Sequence, residues 1–119
     1  MKLTTLVMGA SPNSARYSHM ATRMLNAYGH EVTAFGLRPG KIDETEITQQ
    51  LPDAGIDTVT LYLGPPNQIQ FVDYLLKLKP RRVIFNPGTE NPELESLLEK
   101  NGIEAIEACT LVMLQTGQF

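Results

Sequence analysis

Cysteine occurs once, at position 109, so no intramolecular disulfide can form and no C-x-x-C metal or redox pair exists. Positive charge is also scarce: 10 Lys and Arg against 13 Asp and Glu leave a formal net charge of −3. A protein built to grip a nucleic-acid backbone needs a basic face, so nucleic acid is not an expected partner. The densest basic group, Lys77, Lys79, Arg81 and Arg82, reads as cations complementing the C-terminal end of a helix. No apolar run approaches the ~20 residues that cross a bilayer, and no membrane association is expected. Lys2 stands before the turn at Gly9 without a long apolar stretch, which argues against a leader peptide. One reduced, cytoplasmic domain over residues 1–119 is the expectation.

Strand and helix patterns alternate along the chain. Residues 3–8 are apolar and end in a small-residue turn, as a buried parallel strand does. Tyr17, Met20, Ala21, Met24, Leu25 and Tyr28 then recur at helical spacing, and Gly29 supplies a stop. Residues 31–35 read as a second strand, closing a βαβ unit whose crossover is right-handed. The polar stretch 41–50, with isolated Ile42 and Ile47, reads as an irregular or short-strand excursion, and 51–55 as one turn of helix. Residues 58–63 form the third strand. A helix follows with Ile69, Val72, Leu75 and Leu76 on one face and Pro80 beyond its end. Residues 82–85 are the fourth strand. Asn91 caps a helix with Pro92 at its first position and Leu94, Leu97 and Leu98 buried. Residues 103–106 are the fifth strand, and the tail from Thr110 packs last. The pattern predicts an α/β fold: a Rossmann-like, doubly wound, mainly parallel five-stranded sheet with helices on both faces, ordered 3-2-1-4-5.

Ligands of such sheets sit beyond the carboxyl ends of the strands, at the switch point. Four loops fall on that edge: residues 9–16, 36–41, 64–67 and 86–90. The first departs from the G-x-G-x-x-G dinucleotide fingerprint, with Ser11 and Ser14 where glycines belong. Their hydroxyls can donate to phosphate oxygens, and Arg16 can add a charge-assisted contact; Ser14 or Ser18 serving merely as a helix cap is the competing reading. The end of the second strand lacks the acid that holds the ribose diol of NAD. It carries Arg38 and Lys41, suited to a phosphorylated ribose, which leaves NADP or coenzyme A; plain surface charges are the alternative.

Val7-Met8-Gly9-Ala10-Ser11, Gly29-His30-Glu31-Val32, Leu63-Gly64-Pro65-Pro66, Asn86-Pro87-Gly88 and residues 102–109 together resemble the stand-alone CoA-binding domain proteins. These are similar to the N-terminal domain of the succinyl-CoA synthetase alpha subunit. The resemblance implies CoA or an acyl-CoA as ligand. By position, Gly9, Ala10, Ser11, Ser14 and Arg16 would hold the pyrophosphate. Gly36, Leu37, Arg38 and Lys41 would lie by the adenosine and its 3′-phosphate. Leu63, Gly64, Pro65 and Pro66 would wall the adenine, and Asn86, Pro87, Gly88 and Thr89 would flank the pantetheine. Many relatives carry an Asn-Pro pair where this chain has Leu37-Arg38-Pro39.

No catalytic residue and no metal site are assigned. His19 and His30 have no substrate placed within reach of a base. Cys109 is a candidate redox thiol, able to exchange with the CoA sulfur through a thiolate, against the plainer reading of a small buried apolar side chain. The sequence thus reads as a non-catalytic or regulatory CoA-binding protein. The alternatives are an NADP-binding oxidoreductase or its subunit, and an interaction protein presenting Met113, Leu114 and Phe119. No protein partner is identified, and a homo-oligomer is open.

Overall fold

The computed structural model describes residues 3–119; Lys2, used above against a leader, lies outside them. The chain runs β1 (Thr5–Met8), α1 (Tyr17–Ala27), β2 (Val32–Phe35), β3 (Gly40–Ile42), β4 (Thr45–Thr48), β5 (Thr58–Leu61), α2 (Pro65–Gln68), a 3-10 turn (Ile69–Phe71), α3 (Val72–Leu78), β6 (Arg82–Phe85), α4 (Pro92–Lys100), β7 (Glu104–Glu107) and α5 (Thr110–Gln115). The α/β, mainly parallel, doubly wound architecture is the one expected. Among the described residues its sheet has seven strands, in the order β3-β4-β2-β1-β5-β6-β7, and only β3 with β4 is antiparallel.

Three expectations are corrected. The five expected strands become seven, because the stretch read as an irregular or short-strand excursion forms a hairpin, β3 and β4, that extends the sheet past β2, with Ile42 and Ile47 as its buried anchors. The third strand of the sequence reading, β5, pairs with β1 and not beside β2, because the hairpin occupies β2's outer edge. Residues 51–55 form bends without a helical turn. Among the side chains, Ile69 lies in the 3-10 turn and is exposed, as is Leu97, whereas Leu75, Leu94 and Leu98 are buried as read.

Strand alternation divides the core. Leu6, Met8, Val59, Leu61, Val83 and Phe85 face Leu75, Leu94 and Leu98 on one side. Val7 and Ala34 face Leu25 of α1 and Leu114 of α5 on the other. Met113 and Leu114 are therefore core residues, so the tail offers neither as a free contact surface. Arg82 does not end a helix: it starts β6, buried, its Nε donating to Thr58 Oγ1 at 2.9 Å and its guanidinium 4.6 Å from the centre of the Phe119 ring. Arg81 is the cation in an ion pair, with Asp57 at 2.9 Å, and this contact holds the Asp57 carboxyl below its usual range.

Parallel register sets the height of the loops. Met8, Phe35, Leu61, Phe85 and Glu107 stand in one row across the sheet. The segments starting at Gly9, Gly36, Tyr62, Asn86 and Ala108 therefore leave the same edge together. β1 lies between β2 and β5, so the chain's winding reverses there and a crevice opens.

Candidate functional site

Gly9 leaves β1 with φ +100°, a conformation L side chains rarely adopt, and a Cβ there would come within 3.1 Å of the Tyr62 backbone. Gly36, at the end of β2, lies so close to the first loop that a Cβ would overlap the Ala10 carbonyl oxygen. The two glycines let the loops after β1, β2 and β5 crowd together. Gly9 and Ala10 both donate their amides to the Phe35 carbonyl, at 2.9 and 2.8 Å. These amides brace the loop and are not free for an anion.

The free donors come later in the loop. Arg16 is the N-cap residue of α1 in extended conformation, and no side chain caps the helix. The capping role weighed for Ser14 or Ser18 is thereby removed. Among the described residues, the amides of Ser11, Tyr17 and Ser18 have no acceptor, and Arg16 has no carboxylate partner. The loop is held in shape by its own contacts: Asn13 Oδ1 accepts from Ala15 N at 2.9 Å, and His19 Nδ1, buried in α1, meets the Ser11 carbonyl at 3.0 Å. An open helix N-terminus beside an unneutralised Arg favours an anion.

These groups line a cleft of about 360 Å³ formed by Gly9, Ser11, Arg16, Tyr17, Ser18, Tyr62, Gly64, Pro87, Gly88 and Thr89. At Gly9 it adjoins a slot of about 100 Å³ walled by Phe35, Gly36, Leu37, Leu63 and Phe71. Tyr17, Tyr62 and Pro87 also line a third chamber of about 260 Å³, where Asn86, Cys109 and Leu111 complete the wall. Three of the four expected loops thus meet in one crevice, and the fourth contributes Gly36 and Leu37. Ala10, Ser14, Arg38, Lys41, Pro65 and Pro66 stand outside these walls. Ser14, Arg38 and Lys41 are exposed, and Lys41 faces Glu46 across the hairpin.

Two of the expected contact residues also hold the framework together. Asn86 is 1% exposed, and its Nδ2 donates to Thr60 Oγ1 (2.7 Å) and Leu61 O (2.9 Å) while Oδ1 accepts from Thr110 N (2.9 Å). Thr89 turns its hydroxyl back onto the Asn86 carbonyl at 2.8 Å. Gln68, which the sequence reading passed over, ties two loops together by donating to Leu63 O and Thr89 O, each at 2.8 Å. Tyr62 lines both the main cleft and the third chamber. Its buried hydroxyl has no partner among the described residues, and burial pushes the phenol up to about 12, so it stays neutral. Among the described residues no group of His, Cys, Asp and Glu could hold a metal, and no helix is long and apolar enough to cross a membrane.

The family model described as CoA binding domain matches residues 3–115. The chain belongs to the CoA-binding domain family. Membership suggests CoA binding. A solved structure, titled as that of an uncharacterized protein, is 48% identical over 100% of this chain and 99% of its own, with a TM-score of 0.96. A conserved hypothetical protein from Pyrococcus furiosus is 26% identical over 94% of this chain and 98% of its own, with a TM-score of 0.78. A Thermus thermophilus protein, 21% identical over 98% of this chain and 91% of its own at a TM-score of 0.81, shares the fold. No curated protein matches the chain.

Proposed function

We propose that this member of the CoA-binding domain family is a CoA- or acyl-CoA-binding protein with a non-catalytic, regulatory role. The observation that carries the reading is the uncapped N-terminus of α1, with Arg16 beside it, opening onto a crevice at the switch point. The pyrophosphate lies against Ser11, Arg16 and the amides of Tyr17 and Ser18, where charge-assisted hydrogen bonds are strongest. The adenine enters the slot between Leu37, Leu63 and Phe71, and the thiol end passes Tyr62 toward Cys109. Arg38, next to the exposed Leu37, meets the 3′-phosphate, with Lys41 adding charge. Among the described residues the walls carry one cation and no carboxylate, which suits a polyanion. No His, Asp or Glu lines them, which favours binding over acid–base chemistry. A lone thiol fits a reducing cytoplasmic setting.

Calorimetric titration with CoA, dephospho-CoA, NADP and NAD tests this. CoA should bind best, dephospho-CoA more weakly, and Arg38→Ala should narrow the gap between them. Binding of NADP with no heat from CoA would overturn the reading in favour of an oxidoreductase.

A further inference from the structure

We infer that the third chamber is an acyl pocket, and that the preferred ligand is a thioester of CoA with a short, uncharged acyl chain. This rests on the proposal that CoA lies in the crevice with its phosphates at α1. Several observations point to the chamber's occupant. It shares the walls Tyr17, Tyr62 and Pro87 with the main cleft and no residue with the adenine slot. A ligand laid from slot to cleft therefore directs its thiol end there. At about 260 Å³ the chamber has room beyond the sulfur.

Its chemistry selects the acyl class. No charged residue lines it, and its polar groups are already engaged or neutral. All three hydrogen-bonding contacts of the Asn86 carboxamide go to Thr60, Leu61 and Thr110. Tyr62 keeps its proton, and its hydroxyl is buried away from the open space. Leu111, Pro87 and the two tyrosine rings supply apolar wall. A methyl-terminated chain gains by leaving water here, whereas a terminal carboxylate would lose its hydration and meet no cation. Free CoA leaves the chamber to water.

The test is a calorimetric series on the intact protein with CoA, acetyl-, propionyl-, butyryl- and succinyl-CoA. Affinity should rise about fourfold for each added methylene through butyryl, and succinyl-CoA should bind at least tenfold more weakly than butyryl-CoA. Leu111→Trp, checked for an intact melting transition, should collapse the ratio of butyryl-CoA to CoA affinity toward one. Equal affinities for CoA, butyryl-CoA and succinyl-CoA would overturn the acyl pocket while leaving CoA binding intact. An unchanged ratio in the folded Leu111→Trp protein would overturn it as well. Failure of every CoA compound to bind would instead remove the reading on which the inference rests.

Discussion

Replacing Asn86 with alanine should unsettle the fold and the far end of the crevice together. The carboxamide joins β5, β6 and the start of α5 through three hydrogen bonds of 2.7–2.9 Å at a site that is 1% exposed. Alanine leaves the Thr110 amide and the Leu61 carbonyl without those partners in the interior. A hydrogen bond contributes about 1 kcal/mol net, and a stranded buried group costs ~1–3 kcal/mol. The expected loss is about 3–5 kcal/mol. For a chain of this length about 4 °C of Tm corresponds to each kcal/mol, so the melting midpoint should fall by roughly 12–20 °C. Circular dichroism melts, with urea titrations to confirm an unchanged m-value, measure this directly. Asn86→Asp keeps the shape and the acceptor for Thr110 but replaces both N–H donors with an oxygen. The Thr60 hydroxyl can turn to donate to it; the Leu61 carbonyl cannot, and a comparable loss is expected. An Asn86→Ala protein within about 1 kcal/mol of wild type would show that the carboxamide does not hold β5, β6 and α5 together.

Arg16→Ala removes the crevice's cation without touching the core, and CoA affinity should fall roughly 10- to 100-fold by titration, with a weaker dependence on salt. Unchanged affinity would place the pyrophosphate elsewhere. Gly36→Ala drives a methyl group into the Ala10 carbonyl; a loss of about 1–3 kcal/mol in denaturant melts and weaker CoA binding are expected as the loop is displaced. His30 accepts the Leu3 amide at Nδ1, and burial, with Arg82 and other positive charge nearby, holds its pKa below 6.5. The unfolded chain then binds more protons than the native one between the lowered value and 6.5, so stability rises with pH there. This contribution is complete above about 6.5 and is lost as pH falls through the lowered folded value. Melts at pH 7.5 and 5 should show a larger drop for wild type than for His30→Gln; equal drops would contradict this.

The parts of the fold that follow from local pattern were legible. β1 is a short apolar run and α1 carries a helical period; these two and β2 all end at a glycine, and Asn91-Pro92 reads correctly as a helix start, with Asn91 Oδ1 accepting from Leu94 N. The hairpin was not legible, because β3 and β4 each bury one side chain, Ile42 and Ile47, too few to show alternation. The position of β5 depends on that hairpin, so the strand order was missed with it. The strand beginning at Arg82 was legible, but the burial of its side chain was not, because Thr58 and Phe119, which it meets, are distant in sequence. The crevice loops could be read from topology alone, since every parallel strand ends on the same edge. What each polar side chain does there could not. Asn86 and Gln68 find their partners at separations of 21 to 26 residues as well as nearby, and no spacing rule announces such ties.

Amide spectra of isotope-labelled protein titrated with CoA locate the ligand residue by residue. The largest shifts are expected at Ser11, Tyr17 and Ser18, which have open amides, with further changes at Cys109 and Leu111 as the thiol end arrives. A titration that leaves Tyr17 and Ser18 unmoved, or shifts only the outer face of α1 around Met24 and Tyr28, would contradict this placement.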